Sequence, residues 1–264
     1  MRLMKFLAAA ILAVGLTGLH ASPVQAQTVD EILTKGTINI GVLIDVPPYG
    51  TVNANQEPDG YDADVAKLMG KYLGVKINLI PVTGPNRIPY LVTGKVDLLI
   101  ATFGITPERA KQVLFSIPYS AIENSVFARK DSGIKSIEDL KGKRVGVPRG
   151  AVQDVLLTNA LGTSAKIQRF DDDASTYQAL ASGQVDAIAE TGFTGRALYA
   201  KSPELNLGEA FILLRQPNGI TMRKDQYNLH RWVNTFVYYT KNNGELAAIW
   251  TKWFGTDFPV LPTF

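Results

Sequence analysis

The chain contains no cysteine and only two histidines among its 264 residues. Without cysteine it can form neither disulfide bonds nor thiolate metal sites. His20 lies in the N-terminal segment and His230 in a predicted C-terminal helix, and the sequence shows no Ser-His-Asp set, no metal-ligand cluster and no phosphate-binding loop. We therefore expect no catalytic residues, no metal and no cofactor, and a core that is stabilised by packing alone.

A large excess of charge of either sign is also missing. The chain has 27 basic and 24 acidic residues, a net charge of +3. Loss of Arg2 and Lys5 with the N-terminal segment would leave 25 basic residues against 24 acidic ones, a net charge of +1. This balance predicts neither a nucleic-acid-binding surface nor a polybasic membrane patch, so we expect no nucleic-acid partner.

No apolar run approaches the roughly 20 residues that a membrane-spanning helix needs. The longest, at residues 6–19, follows two basic residues and precedes a small-residue cleavage site that ends at Ala26. These features are typical of an export signal. We predict that residues 1–26 are this signal, that the mature chain begins at Gln27, and that it resides in the periplasm. The remaining length suffices for a core divided into two lobes.

The segment KVDLLIATFGITPER, residues 95–109, combines a predicted strand at 96–100 with the start of a helix. Thr106 is a natural N-cap, and Pro107 suits the first helical position. Arg109 lies in the first helical turn, where the helix dipole disfavours a cation unless an anion is near. Taken alone, the segment allows a solvated arginine or an anion ligand.

Three groups of this segment could hold one carboxylate together. Thr102 offers a hydroxyl, Gly104 a backbone N–H, and Arg109 a planar fork that matches a carboxylate with two parallel hydrogen bonds. The segment is also repeated, because TGKVDLLIAT at 93–102 resembles SGQVDAIAET at 182–191. The repeat indicates two similar α/β lobes, and ligands of open α/β sheets bind beyond the carboxyl ends of the strands. We therefore predict a small ligand between two lobes.

Other candidate positions each have a functional and a structural interpretation. Tyr49, at the tip of a turn rich in proline, covers a ligand or packs on its own lobe. Arg87, at the start of a helix, binds an anion or forms a surface ion pair. Asp172 and Asp173 precede the helix predicted at 174–182, where at least one is an N-cap, and in the alternative interpretation one of them faces the ligand.

The lobes are predicted to be joined by two crossing strands. A strand at 125–129 leaves the first lobe, and a strand at 211–221, broken by a Pro-Asn-Gly turn, returns to it. We predict that residues 27–124 and 216–264 form the first lobe and residues 125–215 the second. The crossing strands would then form a hinge.

Motifs distributed over nearly the whole mature chain carry a family resemblance. They are IGVLIDVPPYG, DGYDADVAKLMGKYLGVK, NRIPYLVTGKVDLLIATFGITPERAKQVLFSIPY, IEDLKGKRVGVPRG, SGQVDAIAE and GELAAIWTKWFG. Through them the chain resembles the extracytoplasmic (periplasmic) solute-binding proteins of polar amino-acid ABC importers, family 3. The resemblance implies an α/β, two-lobe Venus-flytrap fold (type II periplasmic binding protein), in which each lobe is a mostly parallel sheet flanked by helices and two strands form the hinge.

The resemblance also implies a function and part of a site. The chain would bind a polar amino acid between its lobes and deliver it to the membrane subunits of an ABC importer, and we expect a monomer. Positions matching Thr102, Gly104 and Arg109 would hold the ligand α-carboxylate, and the aromatic ring of Tyr49 would cover the ligand.

The second lobe would contribute backbone donors from a turn at the start of a helix predicted from Gly150. The residues of this turn are Gly150, Ala151, Val152 and Gln153. Ala151 and Val152 stand where Ser or Thr is common in the family, so closure would rely on backbone donors, Arg149 or Gln153.

Further departures from the family pattern concern the ligand itself. The aspartate that usually meets the α-amine is replaced by Thr191, so Glu190 or Asp173 would have to substitute for it. A position that often carries an aromatic wall is Gly84. The stretch around Arg87 resembles one in glutamate and aspartate binders, where the arginine reaches the ligand side chain, and this favours an acidic ligand.

An enzyme on the same scaffold is the alternative interpretation. Cyclohexadienyl dehydratases, which act on prephenate, resemble this family and use a carboxylic acid in the cleft. Glu190, buried in a closed cleft, could act as such a general acid. The importer motifs are the simpler account, and we expect a binding protein and not an enzyme.

Overall fold

The computed structural model describes residues 29–262, so the predicted export signal lies outside the described residues. The first part of the chain alternates short strands with helices. In order these are α1 (Val29–Lys35), β1 (Thr37–Val42), β2 (Thr51–Val52), β3 (Pro58–Asp59), α2 (Tyr61–Leu73), β4 (Lys76–Pro81), α3 (Arg87–Val92), β5 (Leu98–Leu99) and α4 (Pro107–Ala110).

A long strand then leads into a second alternating region, and another long strand leads back from it. The elements are β6 (Val113–Arg129), a 3₁₀ turn (Glu138–Leu140), β7 (Arg144–Pro148), α5 (Val152–Leu161), β8 (Lys166–Phe170), α6 (Asp173–Ala181), β9 (Ala187–Thr191), α7 (Gly192–Ala200), a 3₁₀ turn (Pro203–Leu205), β10 (Leu207–Arg223), α8 (Tyr227–Asn242) and α9 (Glu245–Phe254).

The strands form one continuous sheet of eight in the order β4-β1-β5-β10-β6-β9-β7-β8, beside the small hairpin of β2 and β3. At one end β1 pairs in parallel with β4 and β5, and at the other β7 pairs in parallel with β8 and β9. Between them β6 and β10 run antiparallel, each 17 residues long. Two parallel α/β units joined by two long strands are the predicted two-lobe architecture.

Buried apolar residues divide in the same way. One core cluster draws on residues 32–122 and 220–254, and two others draw on residues 126–207. The lobe boundaries predicted at 124/125 and 215/216 fall inside β6 and β10 and remain predictions.

The hinge strands differ from the prediction in length and continuity. β6 begins at Val113, not at residue 125, and the Pro-Asn-Gly sequence does not break β10. Pro217 pairs with Ala121, and the register shifts on either side of Gly219 mark bulges. A bulge lets a strand continue past residues that fit the regular ladder poorly.

Three local predictions around the cleft have separate outcomes. Thr106 is the N-cap of α4, because its side chain accepts a hydrogen bond of 3.2 Å from Arg109 N, and Pro107 is the first helical residue, as predicted. The strand predicted at 96–100 is shorter, and only Leu98–Leu99 pair as β5. The helix expected from Gly150 begins two residues later, at Val152.

Candidate functional site

A cavity lies between the two lobes, at the carboxyl ends of their parallel strands. The space between its walls is about 410 Å³ when open solvent is included, and about 40 Å³ of it is free for the centres of water-sized molecules, so the lobes approach each other closely. Its lining residues are Leu43, Val46, Gly84, Arg87, Thr102, Arg109, Ile122, Asn124, Pro148, Ala151, Val152, Gln153, Asp173, Thr191 and Gln216. The structure therefore brings eight of the predicted site residues to one cavity, and places Tyr49, Gly104, Gly150 and Glu190 outside its lining.

Arg109 joins the two lobes at the cavity. Its Nη1 donates to the carbonyl of Gly104 and its Nη2 to the carbonyl of Gly150, both at 2.8 Å. Burial, together with the smaller effect of the positive charge of Arg87, lowers the pKa of Arg109 to about 9. The guanidinium is a strong donor that presently meets only neutral acceptors, so a ligand carboxylate would form stronger, charge-assisted hydrogen bonds with it.

Gly104 lies beside Arg109 with its backbone held by the hinge. It forms an isolated antiparallel bridge with Asn218, in which Ile105 N donates to Pro217 O and Gly219 N to Phe103 O. In this bridge type the N–H of the central residue points away from its partner strand. The N–H of Gly104 donates to no group within residues 29–262, so it is free to donate to a ligand, and its role in carboxylate binding stays a prediction.

Arg87 lies at the start of α3 and is only 5% exposed. Its Nε donates to Gly84 O at 3.3 Å and its Nη1 to Ala101 O at 3.1 Å. Burial lowers its pKa, while the charges of Asp173 and Asp45 raise it. The interpretation of Arg87 as a surface ion pair is therefore wrong, because the side chain is buried and lines the cavity.

Phe103 supports both arginines and was missed in the sequence. Its ring centroid lies 4.6 Å from Arg87 Cζ and 4.1 Å from Arg109 Cζ. Cations over an aromatic face are attracted by its quadrupole. Its position between Thr102 and Gly104, two residues already predicted to bind a carboxylate, is a signal that could have identified Phe103.

The second lobe faces these arginines with acidic groups. Asp172 is the N-cap of α6, because its side chain accepts a hydrogen bond of 2.6 Å from Ser175 N. Asp173, the first residue of the helix, lines the cavity. The N–H of Asp173 donates across the cleft to Asp45 Oδ2 at 3.1 Å. Burial and the nearby charge of Asp45 raise the pKa of Asp173 to about 7.

Glu190 and Thr191 end strand β9 beneath this acidic group. Thr191 lines the cavity, whereas Glu190 is fully buried and does not. Glu190 Oε2 accepts a hydrogen bond of 3.2 Å from Thr191 N, and its side chain lies next to that of Asp173. The expectation that Glu190 itself contacts a ligand is thus corrected, because its side chain lies behind Asp173.

The turn at 150–153 lies at the cavity, but only some of its backbone N–H groups are free to donate to a ligand. The N–H of Gly150 donates to Asp154 Oδ2 at 3.1 Å, and that of Ala151 to Pro148 O at 3.2 Å. These donors are therefore occupied, and Gly150 offers its carbonyl to Arg109 instead. The N–H groups of Val152 and Gln153, in the first turn of α5, have no acceptor in the described part of the chain.

Gly84 allows the lobes to approach closely at this turn. A Cβ atom added at Gly84 would lie 3.0 Å from the carbonyl oxygen of Arg149 in the other lobe. Few Cβ atoms tolerate so short a contact. The aromatic wall that is missing at this position is therefore replaced by backbone from the second lobe.

Tyr49 does not cover the cavity. It is 3% exposed and donates a hydrogen bond of 2.8 Å to Ala121 O. Its ring packs at 4.7 Å from Phe254 and 6.1 Å from Trp250, on helix α9. The alternative of a tyrosine packed on its own lobe is the one that the structure shows, because the aromatic residues of α9 bury the ring.

The hinge strands place two further polar side chains in the cavity that the sequence prediction missed. Asn124 on β6 is 2% exposed, and its Nδ2 has no acceptor among residues 29–262. Gln216 on β10 has a buried Oε1 without a donor in the same range. Buried polar atoms without partners are costly in a folded protein. A polar ligand that bonds to them would remove this cost.

Several contacts close the lobes around the cavity. Besides Arg109 with Gly150 and Asp45 with Asp173, Thr194 donates to the carbonyl of Pro47. Within residues 29–262 no helix is long and apolar enough to cross a membrane, and no group of three His, Asp or Glu side chains could hold a metal ion.

Comparisons with known proteins agree with this geometry. Residues 38–256 match the family model of bacterial extracellular solute-binding proteins, family 3. The L-cystine-binding protein TcyJ of Escherichia coli is 31% identical over 233 residues, 86% of this chain and 86% of the relative. The ABC transporter glutamine-binding protein GlnH of Bacillus subtilis is 32% identical over 250 residues, 92% of this chain and 90% of the relative.

A solved structure supports the same assignment. The solute receptor for L-cysteine of Neisseria gonorrhoeae superposes with a TM-score of 0.81 at 32% identity, covering 86% of this chain and 94% of that one. These relatives are named as binding proteins and as a solute receptor, and this chain is likewise a binding protein and not an enzyme. It belongs to the bacterial extracellular solute-binding proteins, family 3.

Proposed function

We propose that the chain is the periplasmic substrate-binding component of an ABC importer, which holds a polar amino acid between its lobes and delivers it to the membrane permease. The observation that carries this proposal is the charge arrangement of the cavity. Arg109 of the first lobe and Asp173 of the second both line it. An amino acid carries a carboxylate and an ammonium group on one carbon, and these two side chains match both charges.

The α-carboxylate is assigned to Arg109, the free N–H of Gly104 and Thr102. In this assignment the guanidinium exchanges its contact with the Gly150 carbonyl for the ligand carboxylate, which accepts two parallel hydrogen bonds. The unoccupied N–H groups of Val152 and Gln153 reach the ligand from the second lobe. Contacts from both lobes couple ligand binding to closure.

The α-amine is assigned to Asp173, with the unpartnered Oε1 of Gln216 as a second acceptor. An aspartate at the family position is absent, since Thr191 occupies it. Asp173 supplies the negative charge from the start of α6 instead.

The ligand side chain is assigned to the neighbourhood of Arg87. Two of its nitrogens are bonded to carbonyls, and Nη2 has no partner in the described residues. This donor favours a ligand with an oxygen acceptor, so glutamate or aspartate is the first candidate and glutamine the second. Glutamine-binding and glutamate/aspartate-importing proteins are both among the relatives.

The hydro-lyase alternative loses its proposed acid in this structure. Glu190 does not line the cavity, and this supports a binding role over an acid that acts on a substrate there. A binding role explains the charged and polar residues that line the cavity, and it requires no catalytic group.

A thermal-shift screen followed by calorimetry tests the proposal. The purified mature chain is assayed with L-glutamate, L-aspartate, L-glutamine, L-cystine and L-arginine. A ligand at about a hundred times its Kd stabilises the fold by roughly 2.7 kcal/mol, which raises Tm by roughly 5–10 °C in a chain of this size.

Arg87→Gln should weaken glutamate binding more than glutamine binding, and the exposed Arg129→Ala should change neither. Binding of no amino acid would refute the function, and binding of arginine alone would refute the acidic ligand.

A further inference from the structure

Glu190 and Asp173 form a pair of carboxyl groups in the second lobe, one behind the other relative to the cavity. The two side chains lie near enough to share a hydrogen bond if one of them is protonated. Glu190 Oε1 receives no hydrogen bond from any N–H or hydroxyl group of the described chain. Two ionised carboxylates are acceptors only, so a hydrogen bond between them requires that one carries a proton.

The surroundings decide which of the two carries it. Glu190 is 0% exposed on a central strand, whereas Asp173 is partly exposed to the cavity. Burial raises the pKa of Glu190 well above its usual value, and the charge of Asp173 raises it further. The proton therefore belongs to Glu190, and the charge belongs to Asp173.

The other groups that face this pair come from several elements. They are Asp45 after β1, Asp172 before α6, Arg87 on α3, Tyr177 on α6 and Tyr199 on α7. Asp45 and Asp172 disfavour a second negative charge, and Arg87 favours it. With acids in excess of cations, the pair retains a proton near neutral pH.

We propose that Glu190 is a positioning residue of the ligand site, whose protonated carboxyl group donates a hydrogen bond to Asp173 and keeps that carboxylate ionised and oriented toward the ligand's ammonium group. This inference rests on the proposed function, because Asp173 meets an ammonium group only if the ligand is an amino acid. The inference explains why a buried glutamate lies next to the cavity-lining residues Asp173 and Thr191 without lining the cavity itself.

A dependence of binding on pH follows. Asp173 has a pKa of about 7 without ligand, so below this pH it is increasingly protonated and must release its proton to the solvent when an ammonium group binds. Affinity should fall as the pH decreases through 7. Removal of the Glu190 donor should raise the pKa of Asp173 and move this fall to higher pH.

Two substitutions at Glu190 separate positioning from packing. Glu190→Gln is isosteric and keeps an N–H donor toward Asp173, whereas Glu190→Ala removes the donor. Affinity for L-glutamate and L-glutamine is measured by calorimetry from about pH 5.5 to 8.5, with Glu138→Gln on the exposed surface of the same lobe as control. We expect the Gln variant to bind within about threefold of the parent, and the Ala variant to bind at least about tenfold more weakly near pH 7 and to recover toward pH 8.5. Identical pH profiles for the Gln and Ala variants would overturn the inference.

A ligand-independent measurement keeps this test separate from the proposed function. Infrared difference spectra of the ligand-free protein at neutral pH should show a protonated carboxyl band that is present in the parent and lost in Glu190→Gln. Absence of this band from the parent would overturn the inference, whether or not an amino acid binds. If the band is present but the protein binds no amino acid, the protonated pair exists. Its role in ligand binding is then refuted together with the proposed function.

Discussion

Arg109 is the residue at which anion binding and lobe closure meet. It is half-buried, lies over Phe103 and, within residues 29–262, its guanidinium donates only to backbone carbonyls, one from each lobe. A guanidinium near a second arginine, with neutral acceptors only, is electrostatically unsatisfied. This is the physical reason to expect that it binds an anion when the cleft takes up its ligand.

Arg109→Ala should therefore abolish most of the binding. Loss of a charge partner in a buried hydrogen-bonded pair costs on the order of 2–5 kcal/mol, which calorimetry would record as a Kd raised by roughly 30-fold to several thousandfold. Arg109→Lys should give an intermediate value, because it keeps the charge and loses the fork. Unchanged affinity in the alanine variant would show that the carboxylate is bound elsewhere.

The sequence identified residues of the cavity where the reason was local, and erred where it was not. That one of Asp172 and Asp173 is an N-cap could be predicted, because helix capping depends on neighbours in the chain, but which of them is the cap could not. Tyr49 could not be placed, because the ring is buried by Trp250 and Phe254, about two hundred residues later. Which of Glu190 and Thr191 lines the cavity depends equally on packing against α6.

At the scale of elements, the loop that holds the expected carboxylate donors is attached to hinge strand β10. The bridge between Gly104 and Asn218 fixes this loop, and a Cβ atom added at Gly104 would lie 2.7 Å from Gln216 Cδ. The missing side chain thus leaves room for Gln216, itself a cavity residue. Hinge and ligand loop are one packed unit.

Gly104→Ala should lower both stability and affinity. The loss of stability should lie at the low end of the about 1–3 kcal/mol that overpacking costs, because the clashing atoms are the flexible end of the Gln216 side chain, but this amide must leave its place in the cavity. Chemical denaturation should show that Gln216→Ala, combined with Gly104→Ala, restores most of the stability. The same double variant should not restore affinity. Additive stability losses in the two variants would contradict the steric explanation.

The hinge strands also show the limit of local sequence patterns. The sequence indicated crossing strands, yet it predicted a break at the Pro-Asn-Gly sequence of β10. The strand continues because Gly219 N finds an acceptor in Phe103 O and Ile105 N donates to Pro217 O. These partners lie more than a hundred residues away in sequence, and turn-forming residues alone could not reveal them.

At the scale of the whole molecule, the internal repeat was the strongest sequence signal. The repeated unit consists of a helix end, a glycine, Val-Asp and a short strand, and its two copies predicted two similar lobes. In the structure β5 and β9 are the strands of these two copies. Parallel sheets with ligands at their carboxyl ends then put the cavity between the lobes. How the lobes meet was not predictable, because contacts such as Phe193 with Phe254 join residues with no shared pattern.

This contact provides a test of closure that leaves the ligand site untouched. Phe193 on α7 of the second lobe packs against Phe254 on α9 of the first, with ring centroids 5.3 Å apart, and neither residue lines the cavity. Phe193→Ala should favour the open form by about 0.5–1.5 kcal/mol, the contribution of an aromatic pair. Because binding requires closure, affinity should fall by roughly two- to twelvefold through a population shift alone.

Small-angle scattering should show the shift directly. We expect ligand-free Phe193→Ala to have a larger radius of gyration than the parent, and both proteins to reach the same value when saturated with ligand. Val155→Ala, which removes an exposed apolar side chain from α5 of the same lobe, is the matched control and should alter neither quantity. An unchanged affinity and an unchanged ligand-free radius in Phe193→Ala would show that this contact does not contribute to closure.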